Sequence, residues 1–166
     1  MVHVDEESVI KANAQFWEQM LAMTLEHVPM ETDIRVGERH LLGYVQLSGI
    51  WNGKIEVRLN DKLALSATAA MLMMPLDSVS EADTLDATKE IANMVAGTIK
   101  SALPRPCSMT VPESMVEPES LTVPPKTEHT LTVAFRHADG DMMVRVWEQE
   151  VAAEVNAPLG ASFQPA

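Results

Sequence analysis

Residues 86–97 read Asp86-Ala87-Thr88-Lys89-Glu90-Ile91-Ala92-Asn93-Met94-Val95-Ala96-Gly97, and they sit in a stretch, Ser80 to Leu103, that keeps one helical period throughout. At about 100° per residue, Leu85, Thr88, Ile91, Ala92, Val95, Ala96, Ile99 and Leu103 fall on one side, the stripe a helix lays on a core. Asp86, Glu90, Asn93, Gly97 and Lys100 fall on the opposite side. The helix therefore points a carboxylate, a carboxamide and a bare backbone outward. Glycine in a helix interior is about 1 kcal/mol less favourable than alanine, so Gly97 marks a place where something is expected to come close.

A plainer reading of the same face is a solvated surface. Glu90 would then lie in water, Asn93 would be a mildly unfavourable surface choice, and Gly97 would pack against a neighbouring element. Glu81, Asp83 and Asp86 need no special role, because negative charge near a helix N-terminus is favoured by the macrodipole, and Lys100 fits the same rule at the other end. Glu90 is too deep in the helix for that account.

Around this helix, 166 residues are expected to make one domain over 1–154 and a frayed tail over 155–166. Hydrophobic residues make up 46% and charged ones 22%, as in globular proteins. A net charge of −12, with the basic residues scattered, argues against nucleic acid and against anionic membrane surfaces. Cys107 is the only cysteine, which excludes an intramolecular disulfide and a cysteine zinc cluster. Asp5, Glu6 and Glu7 are the reverse of a basic signal-peptide start, and the apolar stretch Leu63–Leu76 is too short to span a bilayer. The expectation is a cytoplasmic protein.

Apolar recurrence from Val9 to Leu25 predicts a helix over 5–28, stopped by Pro29. Strands are expected at 33–37, 40–48 and 54–59, with Asn52-Gly53 making a type I′ turn between the last two. Asn60 or Asp61 can cap a helix over Lys62–Met74, ended by Pro75. Residues 104–125 carry most of the chain's ten prolines and read as a short strand at 107–111 followed by a long irregular loop. Thr130–His137 and Met142–Gln149 form a last hairpin. The sum is two long helices, a shorter one and five or six antiparallel strands.

Much conventional chemistry is missing. No Gly-rich phosphate loop, Gly-x-Ser-x-Gly elbow or His-Glu-x-x-His site occurs. The histidines show no metal-ligand spacing and read as surface or partly packed residues, while Met71, Met73 and Met74 read as core filling. No metal site is expected in this chain.

The spacing Asp86-x-x-x-Glu90-x-x-Asn93, followed by Met94-Val95-Ala96-Gly97 and Lys100, resembles the signature helix of the CheC/CheX/FliY chemotaxis phosphatases, with the CheX-like branch nearest. Leu47-Ser48-Gly49-Ile50-Trp51-Asn52-Gly53-Lys54-Ile55 resembles that family's first hairpin, and Phe16-Trp17-Glu18-Gln19-Met20-Leu21 fits its N-terminal helix. The resemblance covers roughly residues 8–150. It implies an α/β (α+β) fold with two long helices packed on an antiparallel sheet. It also implies hydrolysis of the phosphoaspartate of a CheY-type receiver domain. In this reading Asn93 orients the attacking water, Glu90 engages the receiver's active-site lysine, and Asp86, Met94 and Gly97 line the docking surface. Magnesium would belong to the receiver, leaving no cofactor in this chain, and two copies would pair as a homodimer.

The physics suits that assignment. Phosphoryl transfer needs little covalent chemistry from the protein, and placing a water in line supplies much of the acceleration. An amide can hold a water through one donor and one acceptor. Two departures stand out. Only Glu90 among the glutamates has Asn three residues later, so a second active face is lacking. The proline after the motif falls at Pro112, closer to Asn93 than the commoner pattern has it, and residues 113–125 are rich in Pro and Glu. The alternative of another class is a non-catalytic receiver-binding module or structural signalling component on the same fold. Thr130–Phe135 carries no formal charge, so it is expected either to lie centrally in the sheet or to be covered by another chain.

Overall fold

The computed structural model describes residues 4–29, 39–103, 106–117 and 129–149. In chain order these form α1 (Glu6–Leu21), β1 (Glu26–Val28), β2 (His40–Gly49), β3 (Gly53–Asn60), α2 (Asp61–Leu72), a 3₁₀ turn (Leu76–Ser78), α3 (Glu81–Ser101), β4 (Cys107–Met109), β5 (Glu113–Glu117), β6 (Thr130–His137) and β7 (Gly140–Glu148). The class is the expected α+β one: two long helices, α1 and α3, and the shorter α2 pack against a single antiparallel sheet. The readings at 33–37, at 118–125 and over the tail 155–166 lie outside the described residues.

Strands run in the order β1-β6-β7-β3-β2-β4, and β5 also pairs with β2. The outer edge of β2 is thus shared: β5 takes His40–Tyr44 and β4 takes Leu47–Gly49. Alternation sorts the two faces. Leu41, Val45, Ile55, Val57, Leu59, Val133, Phe135, Met142, Val144 and Val146 join Val9, Phe16 and Trp17 of α1, Leu63 and Ala67 of α2, and Ile91, Val95 and Ile99 of α3 in one core. All three helices therefore lie on one face of the sheet. Among the described residues no helix is long and apolar enough to cross a membrane.

Several boundaries depart from the sequence reading. α1 ends at Leu21, not at residue 28: Ala22 turns left-handed at φ 51°, and Met23 donates its N–H back to the Trp17 carbonyl at 3.0 Å. The residues that would have continued the helix are claimed by β6, with Glu26 opposite Arg136 and Val28 opposite Ala134. The β2–β3 turn is not type I′. Gly53 opens β3, and the positive φ falls on Gly49 at 147°, while Asn52 brackets that residue by accepting from its N–H (3.1 Å) and donating to its carbonyl (3.0 Å). The Pro-rich segment holds the short strand expected at 107–111, as β4, and the part read as a long loop also contains β5. β6 lies between β1 and β7, which answers the edge question without a second chain. Met73 is 92% exposed rather than core filling; Met71 alone of the three packs on the core cluster.

Candidate functional site

Ser80 caps α3 and closes a reciprocal pair with Asp83. The Ser80 hydroxyl accepts from the Asp83 N–H at 3.1 Å, and the Asp83 carboxylate accepts from the Ser80 N–H at 2.9 Å. The backbone hydrogen bond from Ser80, with its hydroxyl behind it, holds the Asp83 carboxyl below the usual carboxylate range. A defined start fixes the rotation of the 21 residues that follow.

The helix then lies very close to the sheet. A Cβ added at Gly43 on β2 would stand 2.6 Å from the Thr88 carbonyl oxygen and 3.1 Å from Ala92 Cβ, so the glycine is what lets α3 sit this low. Beside it, the Ser114 hydroxyl of β5 donates to the Leu85 carbonyl of α3 at 2.8 Å. Thr84, Ala87, Thr88, Ile91, Ala92, Val95, Ala96 and Ile99 are buried on this side, close to the expected stripe.

On the opposite side the motif residues are displayed together. Asp86 and Glu90 are exposed, and Asn93 and Gly97 are half-exposed. Glu90 and Asn93 are three residues apart, which places their Cβ atoms roughly 5–6 Å from one another. Neither side chain is tied by a hydrogen bond or ion pair among the described residues. Asp86 reaches Lys89 at 3.8 Å with its side chain 80% exposed, a contact of little energetic weight. Among the described residues nothing lies within 4 Å of a Cβ built at Gly97, so none of them requires a glycine there by packing. Met94 is half-buried and packs against the core cluster.

The sheet's other face carries a charge network that the sequence reading did not anticipate. His40 is fully buried, not a surface histidine, and its Nε2 meets Glu117 at 2.5 Å. Arg58 reaches Glu117 at 3.1 Å and Glu56 at 2.7 Å, and Lys54 reaches Glu56 at 2.8 Å. Burial opposes ionisation of Glu56 and Glu117, but the hydrogen bonds and charges of Lys54 and Arg58, and of Arg58 and His40, outweigh it and leave both carboxyls below the usual range. Alternating residues along β2, β3 and β5 would have revealed this only with the pairing known. An open cleft of about 360 Å³ where β2, β3 and β7 end is lined by Gln46, Lys54, Thr110 and Trp147 and includes none of the motif residues. No group of three or more His, Cys, Asp or Glu able to hold a metal occurs among the described residues.

The family model described as "Chemotaxis phosphatase CheX" matches residues 41–136, which contain the whole motif. The chain belongs to the CheX family. No curated protein matches it, whereas several solved CheX structures do. The chemotaxis protein CheX from Vibrio vulnificus is 17% identical, over 90% of this chain and 100% of that one, with a TM-score of 0.70. CheX from Borrelia burgdorferi, solved with CheY, BeF3 and magnesium, is 20% identical over 89% and 100%, at a TM-score of 0.67. CheX from Desulfovibrio desulfuricans is 20% identical over 86% and 97%, at 0.65. At such identities the likeness establishes the CheX fold, while the residue-level assignment stands on the geometry above.

Proposed function

We propose that this chain is a phosphatase that hydrolyses the phosphoaspartate of a CheY-type response-regulator receiver domain in the cytoplasm. The observation that carries the reading is the display of Glu90 and Asn93 on the open ridge of α3, untied by other described groups and flanked by the bare backbone of Gly97. Membership of the family supports it, as does the complex that the Borrelia CheX makes with CheY.

Each residue then has a part. The Asn93 amide holds a water through one donor and one acceptor and aims it at phosphorus, opposite the aspartyl oxygen that leaves. Glu90 meets the ammonium of a receiver lysine, a charge-assisted contact that fixes the two surfaces in register. Asp86, Met94 and Gly97 border the docked surface. Magnesium, where the reaction uses it, is carried by the receiver and offsets charge on the transferring group; no residue of this chain is assigned to it. The same reading places two copies in a homodimer, one active face each.

Phosphate release from a phosphorylated receiver tests the proposal. Asn93→Ala should lower turnover about 10²–10⁴-fold, the range for one positioned catalytic group, and leave receiver binding near normal. Glu90→Ala should weaken both. Near-normal turnover by Asn93→Ala would remove the assignment, and receiver binding without any wild-type turnover would favour a non-catalytic binding module.

A further inference from the structure

The strand β5 is fastened on three sides. Its backbone pairs with β2 from His40 to Tyr44. On the face away from the helices its two ends are tied by side chains: Glu113 accepts from the Tyr44 hydroxyl, and Glu117 accepts from Arg58 and meets His40. On the helix face, Ser114 stands opposite Gly43 in the register and donates to the Leu85 carbonyl. That carbonyl sits within the helix, where its second lone pair can take an extra donor without breaking the helical ladder. Gly43 removes any side chain that could brace α3 at this point, so α3 meets β2 there through backbone and small groups, Thr88 and Ala92. Ser114 is the directional contact at that seat, because a hydroxyl-to-carbonyl bond fixes rotation and height where methyl contacts fix only distance. Leu85 directly precedes Asp86 and lies five residues before Glu90; Asn93 is a further turn away.

We infer that Ser114 is a positioning residue, which sets the attitude of the Asp86–Glu90 turn of α3 and so controls docking of the receiver more than the chemistry at Asn93. The inference rests on the proposed function. Its signature is a split between kinetic constants. Losing one neutral hydrogen bond shifts an equilibrium about three- to tenfold, and here that shift falls on the docking geometry.

The experiment compares wild type, Ser114→Ala, Ser114→Thr and Ser66→Ala with a phosphorylated receiver, and measures binding of each to the receiver loaded with beryllium fluoride. Ser66 is the control: its hydroxyl donates to Asp139 at 2.7 Å, joining α2 to the β6–β7 turn and away from β5. Ser114→Ala should raise KM and weaken binding about three- to tenfold with kcat within about twofold, and Ser114→Thr, which keeps the hydroxyl, should restore both. Ser66→Ala should lower thermal stability and leave KM unchanged. Unaltered KM and binding in Ser114→Ala, or an equal rise in Ser66→Ala, would overturn the inference with the phosphatase reading intact. A wild type that binds the receiver but releases no phosphate would overturn the phosphatase reading, and the binding comparison would still decide the role of Ser114.

Discussion

Replacing Gly97 by alanine should make the protein more stable and less active. Gly97 lies in the interior of α3 with ordinary helical backbone, and a Cβ there meets nothing within 4 Å among the described residues. Alanine thus gains the intrinsic helix preference of about 1 kcal/mol without strain or overpacking, part of it through a less flexible unfolded chain. For a chain of this length that is a rise of about 2–4 °C in the melting temperature. In the proposed docking, a receiver lying over the ridge would meet a new methyl group one turn beyond Asn93. The larger Gly97→Leu variant should place a full side chain into that contact and reduce phosphatase kcat/KM about tenfold or more, the scale of overpacking a fitted surface. Calorimetry and phosphate release on the same samples separate the two effects. A fall in melting temperature for Gly97→Ala would show that position 97 faces packed protein. Unchanged kcat/KM in Gly97→Leu would show that no partner approaches it, and the docking face would have to be drawn elsewhere on the helix.

Gly43→Ala should instead destabilise: its Cβ would press the Thr88 carbonyl at 2.6 Å, so α3 must lift, at a cost of about 1–3 kcal/mol read as a lower denaturation midpoint, with activity falling as well. Glu56 and Glu117 have folded-state pKa values below their ordinary one, so their contribution is present above about pH 4.3 and is lost as pH falls through the lower folded values. Melting temperature should accordingly drop on the acid side, and Glu117→Gln should flatten part of that drop; identical acid limbs would refute a role for the network. Sedimentation at micromolar protein should give twice the 18.2 kDa chain mass across salt concentrations if the homodimer forms, and a single-chain mass would exclude it.

What was legible in the sequence follows from the range of the interactions involved. α3 could be read residue by residue because its signals are local: a 21-residue periodic stripe, acidic residues in its first turn and a helix-breaking segment after it. The end of α1 could not be read, because apolar residues continue past Leu21 in helical spacing and the competing strand pairs with residues more than a hundred positions away. β5 was hidden for a related reason. Pro112 and Pro118 bracket Glu113–Glu117 and look like loop composition, although proline is compatible with the ends of an edge strand. His40 was misread because its burial depends on Glu117 and Arg58, brought beside it by two different strand pairings. The outward residues of the candidate site and the buried stripe of α3 were therefore visible from the sequence, whereas Gly43 and Ser114, which meet that stripe from the sheet, were not.

That division bears on how loss of activity is to be understood. The seat of α3 is made by its buried side, by Gly43 and Ser114, and the charge network lies across the sheet from the motif. Glu90 and Asn93 contribute to none of these contacts among the described residues. Asparagine is also a weaker helix former than alanine, because its amide competes for backbone groups. Asn93→Ala should consequently fold as well as the parent or slightly better, within about 0.5 kcal/mol. An inactive Asn93→Ala protein with unchanged melting temperature cannot be attributed to unfolding, and the loss would support the proposed role of the amide in placing the attacking water. An inactive variant that also melts early would place Asn93 in the framework instead, contrary to its position on the open ridge.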